Sequence, residues 1–381
     1  MIAIFLSLTI LGVTAYCLLI GIYRYWFLRL KIYRPSTALS PQTRFTIIIP
    51  ARNEASSIVH CLNSIQQLAY PPDMLEVIVV NDHSTDGTPD IVLQRREQFP
   101  SLKLINLADH LNGTLNAYKK RAIEIAVAES NGNWIVTTDA DCTVPPQWLS
   151  LLDQYIQAKQ PVFVAAPVMF TLTKSWLGLF QVLDFMSLQG ITASAVAAGY
   201  HSMCNGANLA YSKAAFETVD GFSGIDHIAS GDDMLLMYKI KQQYPGKLGF
   251  LFSPDAIVQT APMPDWVSFL NQRIRWASKA DSYSEKNIFW VLFLVYCVNA
   301  LLLAGLLLGM LFQGLYPWMI YLLGAKTVVE LLFMWPVAGF FHQRKSLFFF
   351  PFMQPFHIVY TVVAGWLGKF GSYQWKGRSV R

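Results

Sequence analysis

Long uncharged stretches near both ends of the chain constrain its fold most. Met1–Tyr23 and Ile288–Phe312 contain no charged residue, Tyr316–Phe341 holds one lysine and one glutamate, and Ser346–Gly368 has no acidic residue, lysine or arginine. A helix of about 20 apolar residues spans the hydrocarbon core of a bilayer, where every backbone polar group must be satisfied internally. The chain is therefore expected to be a membrane protein with membrane helices at both ends.

Basic residues directly follow the first apolar stretch: Arg24, Arg29, Lys31 and Arg34. The stretch has no positive start and no small-residue cleavage site, so residues 1–30 are expected to be an N-terminal transmembrane anchor and not a signal peptide. Cytoplasmic flanks of membrane helices are rich in lysine and arginine, which predicts an external N-terminus and a cytoplasmic central domain. The net charge of +5 lies largely in such flanks. It suits a membrane surface and gives no reason to expect nucleic acid as a partner.

Residues 286–381 are predicted to form a C-terminal membrane region. Ile288–Phe312 and Tyr316–Phe341 are expected to be two transmembrane helices, with Lys326 and Glu330 paired to each other at i, i+4. Pro351 and Pro355 interrupt the segment that follows. This third segment therefore either spans or is re-entrant or interfacial, and the second interpretation is favoured.

Between these ends, residues 35–285 have the composition of a globular domain, and apolar runs alternate with segments of helical spacing. The predicted strands are Phe45–Ile49 (stopped by Pro50), Leu75–Asp82, Leu102–Leu107 and Asn133–Cys142. Helices are predicted over about 55–68 and 118–130. This alternation predicts an α/β fold with a mostly parallel sheet, in which ligands bind beyond the carboxyl ends of the strands. Four acids follow predicted strand ends and could share one rim: Asp82, Asp86, Asp139 and Asp141.

Ser175–Tyr200 is also apolar and long enough to span a membrane. Asp184 and Gln189 lie in its middle, where a charged group costs a few kcal/mol in a bilayer. A spanning helix here would also separate the acidic loop from everything after Tyr200. We therefore expect helices that pack on the domain or lie at the lipid surface.

Asp139 and Asp141 are two residues apart, so they point to the same side of an extended backbone. Two such carboxylates repel each other unless a cation lies between them. Oxygen ligands of this kind suit Mg²⁺ or Mn²⁺. The alternative is a solvated aspartate turn.

Three further patterns suggest chemistry. Gln272, Arg275 and Trp276 are spaced to share one helix face, where an arginine and an amide bind a diphosphate and a tryptophan offers a flat face to a sugar. The alternative is a basic helix lying on lipid head groups. Asp232 and Asp233 precede an apolar run, and they are either a general base with a supporting acid or a helix N-cap. Next to Lys119, residues Lys120 and Arg121 are expected to form a solvated helix face.

Seven motifs occur in order: "IIIPARNE", "VVNDHSTDGT", "KKRAI", "DAD", "NGANLAY", "GDD" and "QRIRW". In this order the chain resembles the membrane-bound glycosyltransferases of family 2, the inverting GT-A-fold group that includes cellulose and hyaluronan synthases and many lipid glycosyltransferases. One motif is weak, but seven in order are specific. The resemblance covers about residues 45–277 and the flanking membrane segments. It implies a GT-A domain flanked by transmembrane helices.

The resemblance also implies roles on the donor side. Glu54 and Asp82 would hold the uridine, and Lys119 would lie near the nucleotide. Asp139 would contact the ribose or the diphosphate and approach the metal, and Asp141 would ligate the Mg²⁺ or Mn²⁺. Family members usually have a glycine before the lysine, where this chain has Tyr118.

On the acceptor side, the resemblance implies that part of the binding floor comes from the "NGAN" segment: Asn205, Gly206 and Asn208. Asp233 would be the catalytic base, with Asp232 in support. The leaving diphosphate and the acceptor would be clamped by three residues of one helix: Gln272, Arg275 and Trp276.

The function implied is transfer of a sugar from a nucleotide-sugar, specifically a UDP-sugar, to a lipid or lipid-linked acceptor at the cytoplasmic face of the inner membrane. One alternative is a processive polysaccharide synthase with a glycan acceptor. A second is a non-catalytic scaffold that binds nucleotide-sugar in an envelope complex. The expected partners are the donor, the lipid or glycan acceptor and membrane lipid.

Overall fold

The computed structural model describes residues 1–35, 39–111, 115–279 and 285–371, and the backbone of two short strands beyond them. Its central part is a seven-stranded sheet in the order β3-β2-β1-β4-β8-β6-β9. The strands of this sheet are β1 Phe45–Ala51, β2 Leu75–Asn81, β3 Leu102–Asn106, β4 Trp134–Thr137, β6 Phe163–Ala165, β8 Leu209–Ser212 and β9 Leu248–Phe250. A second sheet has the order β5-β10-β7, formed by β5 Cys142–Thr143, β7 Val168–Phe170 and β10 Val258–Thr260. The last two strands pair with each other: β11 Tyr373–Trp375 and β12 Arg378–Val380.

The large sheet is mostly parallel, as predicted. Strands β3, β2, β1 and β4 run parallel to one another, β8 is antiparallel to β4 and β6, and β6 is parallel to β9. Helices cover both faces of the sheet and connect its strands. They are α2 Ile58–Gln66, α3 Thr88–Arg96, α4 Tyr118–Glu129, α5 Trp148–Lys159, α7 Lys213–Thr218, α8 Met234–Gln243 and α9 Trp266–Ala277.

The prediction that Pro50 stops the first strand is wrong, because β1 continues to Ala51. The Ile48 carbonyl points toward β4 and accepts from Thr138 N, so the nitrogen of Pro50, two residues on, faces the same side. Pairing between β1 and β4 ends at Ile48 and Thr137. On that side no strand is left to pair with residue 50, so the missing N–H of the proline costs no hydrogen bond between strands.

Three long helices pack against one another at one end of the molecule: α1 Ile2–Arg29, α10 Lys286–Leu311 and α11 Tyr316–Phe340. Each is long and apolar enough to cross a membrane, and each exposes large apolar side chains. Lys326 and Glu330 of α11 are both buried, and their side chains form the predicted ion pair at 2.7 Å.

Helix α6 (Trp176–Ala197) lies between the sheet region and the membrane helices. It is also long and apolar enough to span a membrane, but 78% of its most apolar 18-residue stretch is buried inside the protein. It contacts β7 and β9 on one side and α1 and α11 on the other. Gly190 allows this close approach, because a Cβ there would lie 2.6 Å from Val337 Cγ2 of α11.

Helix α12 (Phe350–Phe370) continues through Pro355 and packs along α9 and α10. Gly365 and Gly368 leave room for the neighbours, because a Cβ at either would lie 2.7 Å from Tyr296 or Ala277. An adjoining side of α12 exposes an apolar stripe with helical spacing, in which Phe356 also stacks on Trp266 of α9: Phe352, Phe356, Val359, Val363, Trp366 and Phe370.

Candidate active site

The loops after β1 and β2 bind each other and form one wall of the site. Asp82 N donates to Ala51 O at 2.8 Å, and Arg52 Nη1 donates to the Asp82 carbonyl at 3.0 Å. Asn53 and His83 both have a φ of 53°, which is uncommon for residues other than glycine. Strained backbone of this kind concentrates at functional sites, because the surrounding contacts must hold it in place.

The Asp86 carboxylate links these two loops by hydrogen bonds. It accepts from Thr88 N and Thr88 Oγ1 through one oxygen and from Ala55 N through the other. The slight burial of Asp86 raises its pKa, but these hydrogen bonds outweigh that effect and hold the pKa below its usual range. The carboxylate therefore stays charged and ties the β2 loop to the start of α2.

Lys119, near the start of α4, joins two acids from distant parts of the chain. Its Nζ lies 2.8 Å from Asp139 Oδ1 and 3.3 Å from Asp232 Oδ2. Burial opposes the charge on Lys119, but Asp139 and Asp232 together raise its pKa above the usual value. The same contact, with help from Lys279, overcomes the burial of Asp232 and lowers that carboxyl's pKa. Both groups are therefore charged at neutral pH.

The carboxylates of Asp139 and Asp141 lie together, but the extended backbone expected for this pair is wrong. Residues 139–142 form a turn, closed by Cys142 N donating to Asp139 O at 3.1 Å. Single ligand atoms of Asp139, Asp141 and Cys142 lie within 4.8 Å of one another. Burial raises the pKa of the Cys142 thiol, so this sulfur is a poor ligand for a hard cation. The two carboxylates fit Mg²⁺ or Mn²⁺, which complete their coordination with phosphate oxygens and water.

Asp233 is the N-cap of α8, and it also faces the site. Its Oδ1 accepts from Met234 N at 2.7 Å, and its Oδ2 accepts from Gly206 N at 3.2 Å. Gly206 is confined on its other side, because a Cβ there would lie 3.3 Å from both Asp232 Oδ2 and Lys119 Nζ. The helix-cap and active-site interpretations of this aspartate are therefore compatible.

Asn208 does not line the cavity, although it was expected in the acceptor floor. Its side chain is fully buried, accepts from Trp148 Nε1, and donates to the carbonyls of Pro167 and Ala256. These bonds occupy both ends of the amide, so Asn208 supports the floor from beneath. Asn205 and Gly206 line the cavity above it.

Helix α9 presents Gln272, Arg275 and Trp276 toward the same space. Gln272 Oε1 is buried and has no hydrogen-bond partner among the described residues. The half-buried Trp276 ring lies 5.9 Å from the ring of Phe185 on α6. The helix therefore faces the cavity and α12, and it does not lie on the membrane as a free amphipathic helix.

Sequence patterns missed several residues that shape the site. Lys120 is not solvated: it is 1% exposed, and its Nζ donates to the carbonyls of Ile225 and Ile228 in the segment before Asp232. Thr260 Oγ1 donates to Asp141 Oδ2 at 3.3 Å. Lys120 stands in a basic run that resembles a solvated face, and nothing around Thr260 in the sequence marks it.

One cavity of about 1070 Å³ connects these groups. The predicted site residues on its wall are Glu54, Asp82, Lys119, Asp139, Asp141, Asn205, Gly206, Asp232, Asp233, Gln272, Arg275 and Trp276. The cavity extends between the long helices, where its walls are mostly apolar side chains from α1, α10, α11 and α12. Acids, a buried lysine and an arginine therefore share one space with the membrane helices.

Comparisons with known proteins agree with this arrangement. The family model described as glycosyl transferase family 2 matches residues 46–219, and the model described as glycosyl transferase family group 2 matches residues 134–367. A beta-monoglucosyldiacylglycerol synthase from Synechocystis is 26% identical over 258 residues, which are 66% of this chain and 50% of that protein. A poly-beta-1,6-N-acetyl-D-glucosamine synthase from Staphylococcus epidermidis is 22% identical over 71% of this chain and 64% of that protein.

The chain thus spans about half to two thirds of the length of these curated relatives. A solved structure gives fuller coverage: the mannosyltransferase PcManGT from Pyrobaculum calidifontis, in complex with GDP-Man and Mn²⁺. It superposes with a TM-score of 0.60 and 20% sequence identity over 96% of this chain and 99% of that one. At this identity the likeness shows the GT-A fold alone. Because the model described as glycosyl transferase family group 2 covers more than half of its residues, the chain belongs to that family.

Proposed function

We propose that the protein transfers one sugar from a UDP-sugar to a lipid or lipid-linked acceptor at the cytoplasmic face of the inner membrane, with inversion at the anomeric carbon. The observation that carries this proposal is the shared cavity, which runs from the acidic site to apolar walls of α10 and α12. A lipid acceptor could place its reactive hydroxyl near Asp233 while its chain lies between these helices. The lipid product named in the Synechocystis relative supports the same acceptor class.

On the donor side, Glu54 and Asp82 lie on the wall where the nucleoside would bind, and Asp139 and Lys119 lie beside it. A bound Mg²⁺ or Mn²⁺ on Asp139 and Asp141 would neutralise charge on the diphosphate. Arg275 and Gln272 offer polar groups from α9, and the amide oxygen of Gln272 has no hydrogen-bond partner in the described part of the chain. These residues would hold the donor with its diphosphate toward α9.

Asp233 is the proposed base. Asp232 is engaged with Lys119, which lowers its pKa, so it is a poorer proton acceptor. Asp233 accepts bonds from two backbone N–H groups, which keep its carboxylate fixed in the cavity. It would take the proton of the acceptor hydroxyl as that oxygen bonds to the anomeric carbon and the bond to the diphosphate breaks on the opposite side.

For the membrane, we propose that α1, α10 and α11 span and that α12 lies at the cytoplasmic interface. Two observations support an interfacial α12: one face packs on α9 of the catalytic domain, and another face is the exposed apolar stripe. Such a helix lies with its apolar face in the head-group layer. This arrangement keeps the domain and the segment after α12 on the cytoplasmic side.

A processive polysaccharide synthase is the alternative function. It is supported by the polymer-forming relative, and a cavity that extends toward the membrane would also suit a growing polysaccharide. A product assay separates the two. Membranes containing the protein are incubated with a panel of labelled UDP-sugars and GDP-sugars, and products are separated by lipid extraction and by size. A labelled glycolipid made from a UDP-sugar is expected, and a chelator should abolish it.

Membranes containing Asp141→Ala are the matched control for the assay. A size-dispersed polymer in the aqueous phase would replace the proposal with the processive alternative. No product from any donor, with wild-type protein folded in the membrane, would contradict sugar transfer itself. A glycolipid made only from a GDP-sugar would overturn the assignment of the nucleotide.

A further inference from the structure

Arg273 belongs to the "QRIRW" motif of α9 and, like Gln272, Arg275 and Trp276, lines the cavity. It is only 4% exposed, although arginine is seldom buried without a partner. Its Nη2 lies 2.8 Å from Asp184 Oδ2 on α6, the only carboxylate within ion-pair distance of Arg273 among the described residues. Neither the donor chemistry nor the base explains this buried pair.

The same carboxylate also binds the interfacial helix. Tyr360 OH donates to Asp184 Oδ1, and His357 Nδ1 lies 3.2 Å from that oxygen. Both residues are on α12 and are less exposed than the members of its apolar stripe. Asp184 therefore joins three elements at one point: α6, the clamp helix α9 and α12.

The Arg273 guanidinium packs against two aromatic rings of its own helix, and one of them belongs to Trp276. Arg273 Cζ lies 4.2 Å from the centre of the Trp276 ring and 4.9 Å from that of Phe269, one turn away on either side of it. Cation–π contacts are stronger for a desolvated arginine than for an exposed one, and they favour one ring orientation. Phe185 packs on the same tryptophan from α6. The Trp276 ring is thus held between the Arg273 guanidinium and the Phe185 ring.

From this geometry we propose that Arg273 is a positioning residue. Held by Asp184 and, through Asp184, by α12, it sets the Trp276 ring and the adjacent Arg275 for reaction. The proposal rests on the proposed function, because it assumes that these two residues contact donor or acceptor. Misplacement of a reactive group by about 1 Å can reduce a rate about 100-fold, so a small shift of the helix would be visible in kcat.

The test uses full-length protein in membranes and two mild variants, Arg273→Lys and Tyr360→Phe. Lysine keeps the charge but loses the planar fork that pairs and stacks, and phenylalanine loses only the hydroxyl donor. Each variant is expected to lower kcat about 10-fold per folded protein, while inhibition by UDP changes less than about 3-fold. Exposed residues provide matched controls, Arg96→Lys and Tyr321→Phe, which should leave all parameters unchanged.

The double variant then tests the connection between α9 and α12. If the two residues act as one unit, Arg273→Lys with Tyr360→Phe should lower kcat by about the same 10-fold and not by the product of the single effects. Multiplicative losses would overturn the coupling, and unchanged kcat in both single variants would overturn the positioning role. A wild-type protein that makes no product would instead refute the proposed function. A merely structural role would lower the folded amount but leave kcat per folded protein unchanged.

Discussion

Asp233 combines two functions that the sequence presents as alternatives. As the N-cap of α8 it accepts from Met234 N, and as a cavity residue it points its second oxygen toward Gly206 N. If Asp233 is the base, as proposed, its two backbone donors hold it in place, so it would need no reorganisation when the acceptor arrives. The cost is that removing the side chain would also weaken the helix start, so alanine is the wrong test.

Asp233→Asn separates the two functions. Asparagine can keep the N-cap bond from Met234 N through its one amide oxygen, but it loses the bond from Gly206 N and accepts no proton. The fold should persist while kcat falls about 100- to 10,000-fold. The measurement is glycolipid formation per folded protein, with UDP binding as a check on the donor site. Asp226→Asn, in the exposed part of the same segment, is the control and should be fully active. Near wild-type turnover by Asp233→Asn would remove the base assignment.

Lys120 is the opposite case, a charged residue that the fold buries. Burial lowers its pKa to about 8, with a smaller lowering from Lys279 and opposition from Asp232 and Asp233. Its amine still donates to the carbonyls of Ile225 and Ile228 when neutral. Lys120 therefore holds the segment that leads into the two acids.

The lowered pKa of Lys120 predicts a pH dependence of stability with a definite sign. Between pH 8 and the ordinary lysine pKa near 10.5, the unfolded chain binds more protons at this residue than the folded protein does. Stability contributed by Lys120 should therefore increase as pH rises through this range. Thermal unfolding of wild type and Lys120→Met at pH 7.5 and pH 10 measures it: the wild-type advantage in Tm should be larger at pH 10. An advantage that shrinks at pH 10 would contradict the assignment.

Residue types and spacing predicted most of the acids and the clamp, because these depend on short motifs. They did not predict which side chains are buried. Asn208 belongs to the same motif as Asn205, yet Trp148, from a helix sixty residues earlier, occupies its amide oxygen. Such long-range contacts are invisible to local spacing.

At the scale of elements, α12 is the least obvious part of the chain. By length and composition alone, Arg344–Phe370 could span a membrane. Its inward polar residues are all bound by protein: Gln354 bonds Lys326 and Glu330 at the middle of α11, while His357 and Tyr360 bond Asp184. These contacts place one face of α12 against protein along most of its length.

Reporter fusions distinguish a spanning from an interfacial α12. Alkaline phosphatase, which is active only outside the cytoplasm, is fused after Arg381 in a Gram-negative host. We expect no activity there and full activity for a control fusion at Gln313, between α10 and α11. Because α12 is flanked by basic residues at both ends, charge alone does not decide this outcome. High activity after Arg381 would show that α12 spans.

The elements themselves were largely predictable where periodicity is strong. Strands β1 to β3 lie where apolar runs predict them, and helix α4 lies where helical spacing predicts it. Pro50 was misread because the effect of a proline depends on where the neighbouring strand ends, which only the register with β4 reveals. Sequence-local rules describe what a residue does to its own backbone and not which partner it meets.

For the whole molecule, the catalytic domain and the membrane helices share one hydrophobic core. A single cluster of buried side chains runs from Tyr23 and Phe27 of α1, through Ile48 of the sheet, to Phe333 of α11. A polar contact crosses the same boundary, since Tyr23 OH of α1 bonds His201 Nε2 of the catalytic domain. Composition predicts a globular domain that is separate from its membrane helices, but side-chain packing makes the domain and the helices one unit.

This shared core predicts that Gly190 is essential to the joint between α6 and α11. In Gly190→Leu the new side chain would meet Val337 and Phe333, so α6 must move away from the membrane helices. Overpacking of this kind costs about 1–3 kcal/mol, and it should also lower glycolipid formation, because α6 carries Asp184. The measurements are Tm in detergent and activity in membranes. Gly324→Leu is the control, since a Cβ there meets nothing within 4 Å. Equal stability and activity of the two variants would mean that the domain and the membrane helices move independently.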